Sequence, residues 1–444
     1  MAFNPNQYFS KFDFQSYRHV LVAVSGGSDS VGLLCALRTY LNSLPFGPML
    51  SAVTVDHALR DGSAAEAAGV AALCAKLKVP HVIKQWQGAK PLTGIQATAR
   101  HERRALLCQT ATELDAHLIL TGHTVDDQIE TVVMRQRRGS GPGLAGIATA
   151  SLAYSDRSDG RPIWIARPLL GAARTDIRDY LLRAQIPWID DPSNDNTAYE
   201  RIAVRHELKA ASEAMRRDIV DKSSVAASKR ERLSIEAADL LQSFVREAAP
   251  GLIRIDTGAF ATTNVPPLCV LLRTLIAFAG GAASHGDSQI TEDIRTQANA
   301  IGRSLGAKPW RETSNGALIE VRQTGVYLLR EGRKKQRNHL EFDGRYRSTG
   351  STRCVATLTP NPEGPTAPAS LVRRSFDLEP LYGSNEADKL TAFEAARSGY
   401  PLRRLINPWP DLVPLFDLAL AENLSLMAGA GGLPTAPVYR HGKN

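Results

Sequence analysis

Two clusters of polar residues have the types and spacing that phosphate binding and proton transfer require. The first is the hexapeptide SGGSDS at 25–30, which directly follows an apolar run and directly precedes a helical pattern. Glycines let backbone amides come close to a phosphate, and the start of a helix presents further amide groups to an anion. No Gly-Lys-Ser/Thr follows, so the segment is not a Walker A loop. We therefore expect phosphate to bind these amides and the hydroxyls of Ser25, Ser28 and Ser30.

The second cluster contains three acids, Asp126, Asp127 and Glu130, in the segment GHTVDDQIET at 122–131. Asp127 and Glu130 are three residues apart at the start of a helical pattern, so their side chains share one face. The helix dipole alone favours carboxylates at this position. A pair of acids beside a phosphate loop can also bind Mg²⁺ or an ammonium group, and one of them can accept a proton. We favour this functional interpretation, and the sequence does not separate the roles of the three acids.

The first half of the chain alternates between strand and helix patterns, and this order decides where the two clusters lie. The predicted strands are 19–25, 51–56, 81–86 and 117–121, and the predicted helices are 29–40, 62–78 and 95–114. Nearly continuous apolar strands that alternate with helices indicate a parallel sheet covered on both faces. Ligands bind such a sheet beyond the carboxyl ends of its strands. The polar segments that should converge there are 25–30, 56–60, the basic start of the helix at 95–114, and 122–127.

The rest of the chain has a weaker pattern. We predict an α/β fold with a parallel-sheet, Rossmann-like amino-terminal domain, a helical linker and middle domain, and a small α+β carboxyl-terminal domain. The predicted domain boundaries are 1–205, 206–315 and 316–444. The predicted local structures are a mobile loop rich in Gly, Ser and Ala at 139–160, helices over 201–249, and a hairpin at 317–329.

The composition narrows the class of protein. The chain has 444 residues and a net charge of +8, which favours two or three domains and fits either a polyanionic partner or a merely basic surface. Its five cysteines include no CxxC pair, so we expect free thiols and a reducing compartment. No run approaches the roughly 18–20 apolar residues that span a bilayer, and the first residues lack a signal-peptide pattern. We expect a cytoplasmic protein without a membrane partner.

Several motifs resemble those of one enzyme family. SGGSDS is similar to the PP-loop of the ATP pyrophosphatases, which cleave ATP between the α and β phosphates, although members of that superfamily act on many substrates. Within it, the chain resembles the tRNA(Ile)-lysidine synthetases over about residues 19–205, with the motifs in the family's order. They are VDHALR at 55–60 (VDHGLR in the family), GHTVDDQIET at 122–131 (GHHxDDQxET), RGSG and GL within 138–144 (RGSGxxGL), and DDPSN at 190–194 ((E/D)DPSN).

The resemblance implies an ATP-dependent reaction on an isoleucine tRNA, tRNA(Ile), that carries a CAU anticodon. It implies that the C2 oxygen of the wobble cytidine attacks the α-phosphate of ATP, that pyrophosphate leaves, and that the ε-amine of free L-lysine then displaces AMP to give lysidine. ATP is the expected co-substrate and Mg²⁺ the expected metal. The expected catalytic residues are Asp29, Arg103, Asp127 and Glu130; the expected ATP contacts are Ser25, Gly26, Gly27, Ser28, Asp29, Ser30, Asp56, His57, Arg100, Gly122 and His123; the expected RNA or phosphate contacts are Arg138, Arg201 and Arg205; and the expected magnesium ligands are Asp29 and Asp127.

Two positions depart from the family's motifs. Arg104 stands where the family motif ARxxRY has a tyrosine, so that aromatic contact is absent here. Ile202 stands where the motif RNxxR has an asparagine, so a hydrogen bond from that side chain is absent as well. The arginines of both motifs are retained, and we carry over their roles.

Other interpretations of the same motifs stay open. An enzyme that thiolates cytidine would use the same adenylate, but such enzymes carry the CxxC pairs that this chain lacks. A small-molecule adenylating amidotransferase would leave the basic carboxyl-terminal half unexplained. A non-enzymatic RNA-binding protein would not need the phosphate loop together with the acids. The oligomeric state does not follow from the sequence, and a homodimer is one option.

Overall fold

The structure of this protein is a computed structural model in which the chain divides into two compact units. The first consists of residues 1–230 and 435–444, and the second of residues 231–434. The described residues are 3–59, 62–88, 90–91, 93–139, 141–158, 161–190, 200–285, 288–302, 308–331, 341–342, 346–348, 367–368, 370–371, 375, 381–382, 390–391 and 402–439. The division into three domains with the boundaries given above stays a prediction.

The first unit alternates strands and helices from its beginning. Its elements are α1 (Pro5–Phe9), β1 (His19–Ala23), α2 (Ser28–Asn42), β2 (Met49–Asp56), α3 (Ser63–Lys76), β3 (His81–Gln85), α4 (Ile95–Glu113), β4 (Leu118–Leu120), α5 (Val125–Arg137), β5 (Ala150–Ala153), β6 (Ile163–Ala166), α6 (Arg174–Arg183), α7 (Glu200–Lys209) and the start of α8 (Glu213–Phe244). All four predicted strands and the three predicted helices between them are present, with their ends shifted by a few residues.

Six strands of this unit lie in one sheet in the order β5-β6-β4-β1-β2-β3. Strand β1 is parallel to both β2 and β4, β2 is parallel to β3, and β4 is parallel to β6. Val20, Leu21 and Val22 of β1 have no solvent exposure, as expected for a central strand covered on both faces. The predicted α/β class with a mainly parallel sheet is confirmed.

The predicted mobile loop at 139–160 is wrong in its central part. Residues Ala150–Ala153 form β5, a fully buried strand that pairs antiparallel with β6. Two short 3₁₀ helices, Pro142–Ala145 and Asp156–Ser158, flank it. The four residues of β5 are Ala, Ser, Leu and Ala, which lack the β-branched and aromatic side chains that announce a strand in a sequence. Its pairing with β6 and its burial therefore determine the structure of this segment.

The end of β4 lies against the start of α2 with almost no space between the two backbones. A Cβ atom on Gly122 would lie 2.8 Å from the carbonyl oxygen of Asp29 and 3.0 Å from the Cα atom of Ser30. Only a residue without a side chain permits this approach. The contact brings the two polar clusters that the sequence predicts to converge to the same edge of the sheet.

The second unit contains a five-stranded antiparallel sheet and several helices. Its elements are the rest of α8, β7 (Val245–Ala249), β8 (Leu252–Ile255), α9 (Val265–Gly280), α10 (Ser288–Gly302), β9 (Trp310–Ser314), β10 (Ala317–Arg322), β11 (Gly325–Arg330), β12 (Glu341–Phe342), β13 (Tyr346–Ser348), β14 (Leu381–Tyr382), β15 (Leu390–Thr391), β16 (Leu402–Arg404), β17 (Leu412–Pro414) and α11 (Leu418–Met427). The sheet order is β7-β8-β11-β10-β9, and α9 and α10 pack on it.

Two local predictions for this part of the chain can be compared with the structure. The predicted hairpin is confirmed, because β10 pairs antiparallel with β11 across a turn at 323–324. The predicted helical region at 201–249 is confirmed as far as Phe244, but its last five residues form β7. Among the described residues, none of the helices combines the length and apolarity needed to cross a membrane.

The contact at Gly122 gives a test of the fold around the polar edge. We expect Gly122→Ala to lower the free energy of unfolding of the first unit by about 1–3 kcal/mol, because the methyl group overlaps backbone atoms that cannot rotate away. Gly171→Ala is the matched control, since a Cβ atom there meets nothing within 4 Å. Amide hydrogen exchange of α2 and α5 in increasing urea measures both variants. Equal stability of the two variants would contradict the close approach.

Candidate active site

The phosphate loop predicted from the sequence connects β1 to α2. Helix α2 begins at Ser28, and its N-cap residue is Gly27, which has no side chain to accept hydrogen bonds from the first amides of the helix. The Ser30 hydroxyl accepts a hydrogen bond from the Ser25 amide at 3.1 Å and donates one to the Gly27 carbonyl at 3.0 Å. The loop is thus braced from within, and its N-cap glycine leaves the first helical amides to an external acceptor.

Gly26 gives this loop its sharp turn and its contact with a second segment. Its φ angle is +91°, in the left-handed region that side chains rarely adopt. A Cβ atom on Gly26 would lie 2.8 Å from Ile189 Cδ1, and the Ile189 amide donates a hydrogen bond to the Gly26 carbonyl at 2.9 Å. Ile189 and its neighbouring residues therefore lie directly on the phosphate loop.

The carboxylate of Asp127 is fixed by its own helix. One of its oxygens accepts hydrogen bonds from both the amide and the hydroxyl of Thr124, each at 2.9 Å, and the two residues form a capping box at the start of α5. This arrangement satisfies amide groups that the first turn of a helix cannot pair internally. The sequence TVDD at 124–127 therefore places Asp127 at the carboxyl end of β4 without help from distant residues.

Arg174, the first residue of α6, connects the phosphate loop to the acids of α5. Its Nε donates to Asp29 Oδ2 at 2.8 Å, and its Nη2 lies 3.6 Å from Asp127 Oδ2. Its Nη1 lies 3.9 Å from Glu130 Oε1, and its backbone amide donates to Asp126 Oδ2 at 2.9 Å. One guanidinium group thus lies among three carboxylates from two different helices.

Two arginines of α7 complete the surroundings of Glu130. Arg201 donates to Glu130 through Nε and to Asp127 through Nη2, each at 2.7 Å. Arg205 donates to Glu130 through its own Nε at 2.7 Å. The side chain of Glu130 is only 2% exposed, whereas that of Asp127 is 13% exposed. Glu130 therefore lies behind its arginines, and Asp127 is the more accessible of the two acids.

Each of the four acids of this site pairs with at least one arginine. Asp126, at the outer side of α5, also pairs with Arg216 of α8. The carboxylates are Asp29, Asp126, Asp127 and Glu130, and the guanidinium groups in contact with them are Arg174, Arg201, Arg205 and Arg216. Partly buried carboxylates this close to one another need such neutralisation to stay ionised.

The surroundings shift the pKa values of Asp29 and Asp127 in opposite directions. Burial raises the pKa of Asp29, and the charge of Asp127 adds to this rise while Arg174 opposes it. Burial acts in the same direction on Asp127, but the charges of Arg201 and Arg174 outweigh it and lower the pKa of this carboxyl. Arg174, between the two acids, has its pKa raised because their charges outweigh its own desolvation. Asp127 is therefore ionised at neutral pH and can seat a cation or take a proton from one.

Two histidines at strand ends face the same edge as neutral groups. Burial lowers the pKa of His57 to about 4, and the charge of Arg103 adds to the effect. Burial and the charge of Arg167 lower the pKa of His123 to about 3. His57 also contacts Trp86 edge to face, with 6.1 Å between the ring centroids. Both imidazoles can thus donate or accept hydrogen bonds at neutral pH without carrying charge.

The basic start of α4 reaches this edge as well. Arg100 and Arg103 have exposed side chains. Desolvation nevertheless lowers the pKa of both guanidinium groups, with Arg201 acting on Arg100 and Arg100 acting on Arg103. Both guanidinium groups thus contact water on one side and surrounding protein on the other. Neither guanidinium pairs with a carboxylate in the contacts described here, which suits groups that receive an anion.

Arginines pair with Asp29 and Asp127, the two carboxylates that the sequence predicts as magnesium ligands. Arg174 lies between the two carboxylates, and the remaining oxygen of Asp127 accepts from Arg201. In the part of the chain that the structure describes, no group of three or more His, Cys, Asp or Glu side chains could hold a metal ion. Magnesium often binds through substrate phosphates with few protein ligands. Ligation by this pair stays a prediction.

The structure brings most of the predicted site residues to one edge of the sheet. The phosphate loop, Asp56, His57, Gly122, His123, the acids of α5 and the arginines of α4 and α7 all follow or face the carboxyl ends of β1, β2 and β4. Arg138 lies at the far end of α5 and pairs with Glu200. Arg60, Ser140 and residues 191–194, which belong to the predicted motifs, lie outside the described residues.

Three arginines in contact with the acids or with the phosphate loop were not predicted: Arg174, Arg216, and Arg178, whose Nε donates to the Ser28 hydroxyl at 3.3 Å. Arg174 and Arg178 are four residues apart in the segment RTDIR at the start of α6, the same spacing as Arg201 and Arg205. That spacing was the available signal, because arginines at i and i+4 share one face of a helix. Arg216 gave no such signal, since it belongs to the highly charged start of a long helix.

Comparison with known proteins finds relatives over most of this chain. Residues 3–212 match a family model described as a PP-loop domain. The tRNA(Ile)-lysidine synthase of Mesorhizobium japonicum is 36% identical, over 98% of this chain and 97% of that protein. The protein of the same name from Rhizobium meliloti is 36% identical, over 96% and 95%, and that from Brucella anthropi is 39% identical, over 78% and 76%.

The buried position of Glu130 predicts a large loss of stability when its charge is removed. We expect Glu130→Gln to lower the free energy of unfolding of the first unit by about 3–5 kcal/mol, because two guanidinium groups lose their shared partner. Glu207→Gln removes the exposed partner of Arg137 and should leave the stability almost unchanged, because water screens such a pair. Urea-dependent hydrogen exchange of α5 and α7 measures both variants. Similar values for the two would contradict a structural role for the Glu130 cluster.

Proposed function

The chain belongs to the tRNA(Ile)-lysidine synthase family, and from this membership we propose that it converts the wobble cytidine of a CAU-anticodon tRNA(Ile) to lysidine. The reaction consumes ATP and free L-lysine and releases AMP and pyrophosphate, so the enzyme is a ligase that forms a carbon–nitrogen bond. The observation that carries the proposal is the bridge from Asp29 of the phosphate loop through Arg174 to Asp127. It supports a single site in which ATP cleavage and amine attack take place side by side.

In the first step, the C2 oxygen of the cytidine attacks the α-phosphate, and the bond between the α and β phosphates breaks. The departing pyrophosphate binds the amides of Gly26, Gly27 and Ser28 at the start of α2, where the helix dipole favours an anion. Arg100 and Arg103 at the start of α4 offset the negative charge that grows on the transferred phosphate. The cytidine is in an anticodon loop, so its base can leave the stack and enter the site.

In the second step, the ε-amine of lysine forms a bond to C2, and the bond from C2 to the AMP oxygen breaks. A free ammonium group has a pKa of about 10.4 and must lose protons before it can attack. Asp127 is ionised and more accessible than Glu130. We therefore propose that Asp127 binds the ammonium group and accepts a proton from it. Glu130 is a positioning residue that holds Arg201 and Arg205 in place.

Substrate binding requires the arginines of α7 to change partners. Arg201 donates a hydrogen bond to one oxygen of Asp127. An incoming phosphate offers Arg201 a second acceptor, and a lysine ammonium offers Asp127 a second cation. The exchange conserves the number of charge pairs, so neither group has to remain buried without a partner.

The expected cytoplasmic location is part of the proposal, since tRNA and free lysine meet there.

Isotope labelling tests the substrate assignment. We expect tRNA(Ile) incubated with the protein, ATP and ¹⁵N-labelled lysine to carry one lysine mass in its anticodon loop, measured by mass spectrometry of nuclease fragments. A tRNA(Ile) transcript with a GAU anticodon is the matched control and should remain unlabelled. ATP-dependent pyrophosphate release is measured in the same reactions. Pyrophosphate release that does not depend on tRNA would favour a small-molecule adenylating enzyme. Lysine label in both the CAU and the GAU transcript would contradict the CAU assignment.

The assignment of Asp127 is tested by one substitution. We expect Asp127→Asn to reduce lysidine formation by about 10²–10⁴-fold, because asparagine keeps an acceptor for Thr124 but can neither pair with an ammonium group nor take its proton. Asp179→Asn, an exposed position on α6, is the control. Single-turnover rates and hydrogen exchange of α5 separate loss of chemistry from loss of fold. A folded Asp127→Asn variant with normal turnover would remove Asp127 from the mechanism.

A further inference from the structure

Helix α6 presents a second arginine to the phosphate loop. Arg178 lies one helical turn after Arg174, and its Nε donates to the hydroxyl of Ser28 at 3.3 Å. The Ser28 hydroxyl in turn donates to Asp29 Oδ1 at 3.2 Å. Arg178 therefore contacts the first residue of α2, whose amide belongs to the anion-binding turn. Unlike Arg174, it has a largely accessible side chain, 42% exposed.

The other end of this guanidinium pairs with Asp190. Arg178 Nη2 donates to Asp190 Oδ1 at 2.8 Å, and the Asp190 side chain is 70% exposed. The segment before Asp190 is anchored to the loop, because the Ile189 amide donates to the Gly26 carbonyl. Trp188 lies beside the same arginine, with 5.8 Å from the guanidinium carbon to the indole centroid. A carboxylate is thus held within one side chain's length of the phosphate loop.

Asp190 places a negative charge beside the phosphate loop, and its ion pair with Arg178 neutralises that charge. An exposed ion pair contributes little to stability. The pair can therefore exchange at small cost. Pyrophosphate carries several negative charges and offers a guanidinium group two oxygens at once, which is a stronger acceptor than a single exposed carboxylate.

We propose that Arg178 binds the pyrophosphate leaving group and that Asp190 competes with pyrophosphate for this arginine. The inference rests on the proposed function, since it requires ATP to be cleaved at this loop. When pyrophosphate forms, Arg178 transfers its Nη2 hydrogen bond from Asp190 to a phosphate oxygen. When pyrophosphate departs, Asp190 takes the arginine back. Asp190 thereby shortens the time for which the product stays bound.

Inhibition by pyrophosphate measures this competition. We expect Arg178→Gln to raise the inhibition constant of pyrophosphate by about tenfold, the effect of one lost charge-assisted hydrogen bond, and to raise KM for ATP in parallel with little change in kcat. Arg178→Lys should recover part of the loss. Arg183→Gln is the control, because this exposed arginine of the same helix donates only to the Asp179 carbonyl in the described contacts. An inhibition constant for Arg178→Gln within twofold of the control would overturn the proposal.

A double-mutant cycle tests the role of Asp190. We expect Asp190→Asn alone to lower the inhibition constant of pyrophosphate severalfold, because Arg178 is then free for the product. In the Arg178→Gln background the same change should have little effect. An equal effect in both backgrounds would mean simple repulsion and would overturn the exchange of partners. Failure of the wild-type protein to cleave ATP with tRNA(Ile) would instead remove the proposed function, and this inference with it.

Discussion

A single guanidinium group among the acids of two helices is the interaction on which this site depends. Asp29 at the start of α2 and Asp127 at the start of α5 carry like charges, and the charge of Asp127 contributes to the raised pKa of Asp29. Without a cation between them, one acid would take up a proton or the helices would separate. Arg174 contacts both side chains, and its backbone amide binds Asp126. The phosphate loop and the acids at the start of α5 therefore share one anchor.

The order of strands in the sheet makes this anchor reachable. Strand β1 lies between β2 and β4, and β6 lies beside β4, so the segments that follow these strands open at the same edge. Arg174 and Asp29 are 145 residues apart in the chain and form a hydrogen bond because α6 packs against α2. Gly122 brings the backbone of β4 against that of α2. The parallel topology thus sets the distances between site residues that are far apart in the chain.

What could be predicted from the sequence is what local rules determine. The strands, the phosphate loop and the capping box at Asp127 all follow from patterns of adjacent residues, and the convergence of their loops follows from the parallel sheet. Strand β5 could not be predicted, because its small residues become a strand only by pairing with β6. The partners of Arg201 and Arg205 could not be predicted either. Their spacing showed a shared face, but whether carboxylates or phosphates lie opposite depends on packing between α7 and α5.

The balance of charges explains how one site can hold a polyanion and a cation in turn. A site built only of free arginines would bind ATP strongly and would leave repelled guanidinium groups when the nucleotide departs. A site built only of free acids would bind lysine strongly and would leave repelled carboxylates when lysine departs. Here the arginines of α6 and α7 neutralise the acids of the site. In the proposed reaction, a phosphate would displace an acid from its arginine, and a lysine ammonium group would displace an arginine from its acid. Binding is weakened by the pairs that must break, but interactions with the transferred phosphate that form only in the transition state are not weakened in this way. In the proposed reaction, the pairing of these arginines with acids would therefore favour turnover over tight retention of ATP, lysine or pyrophosphate.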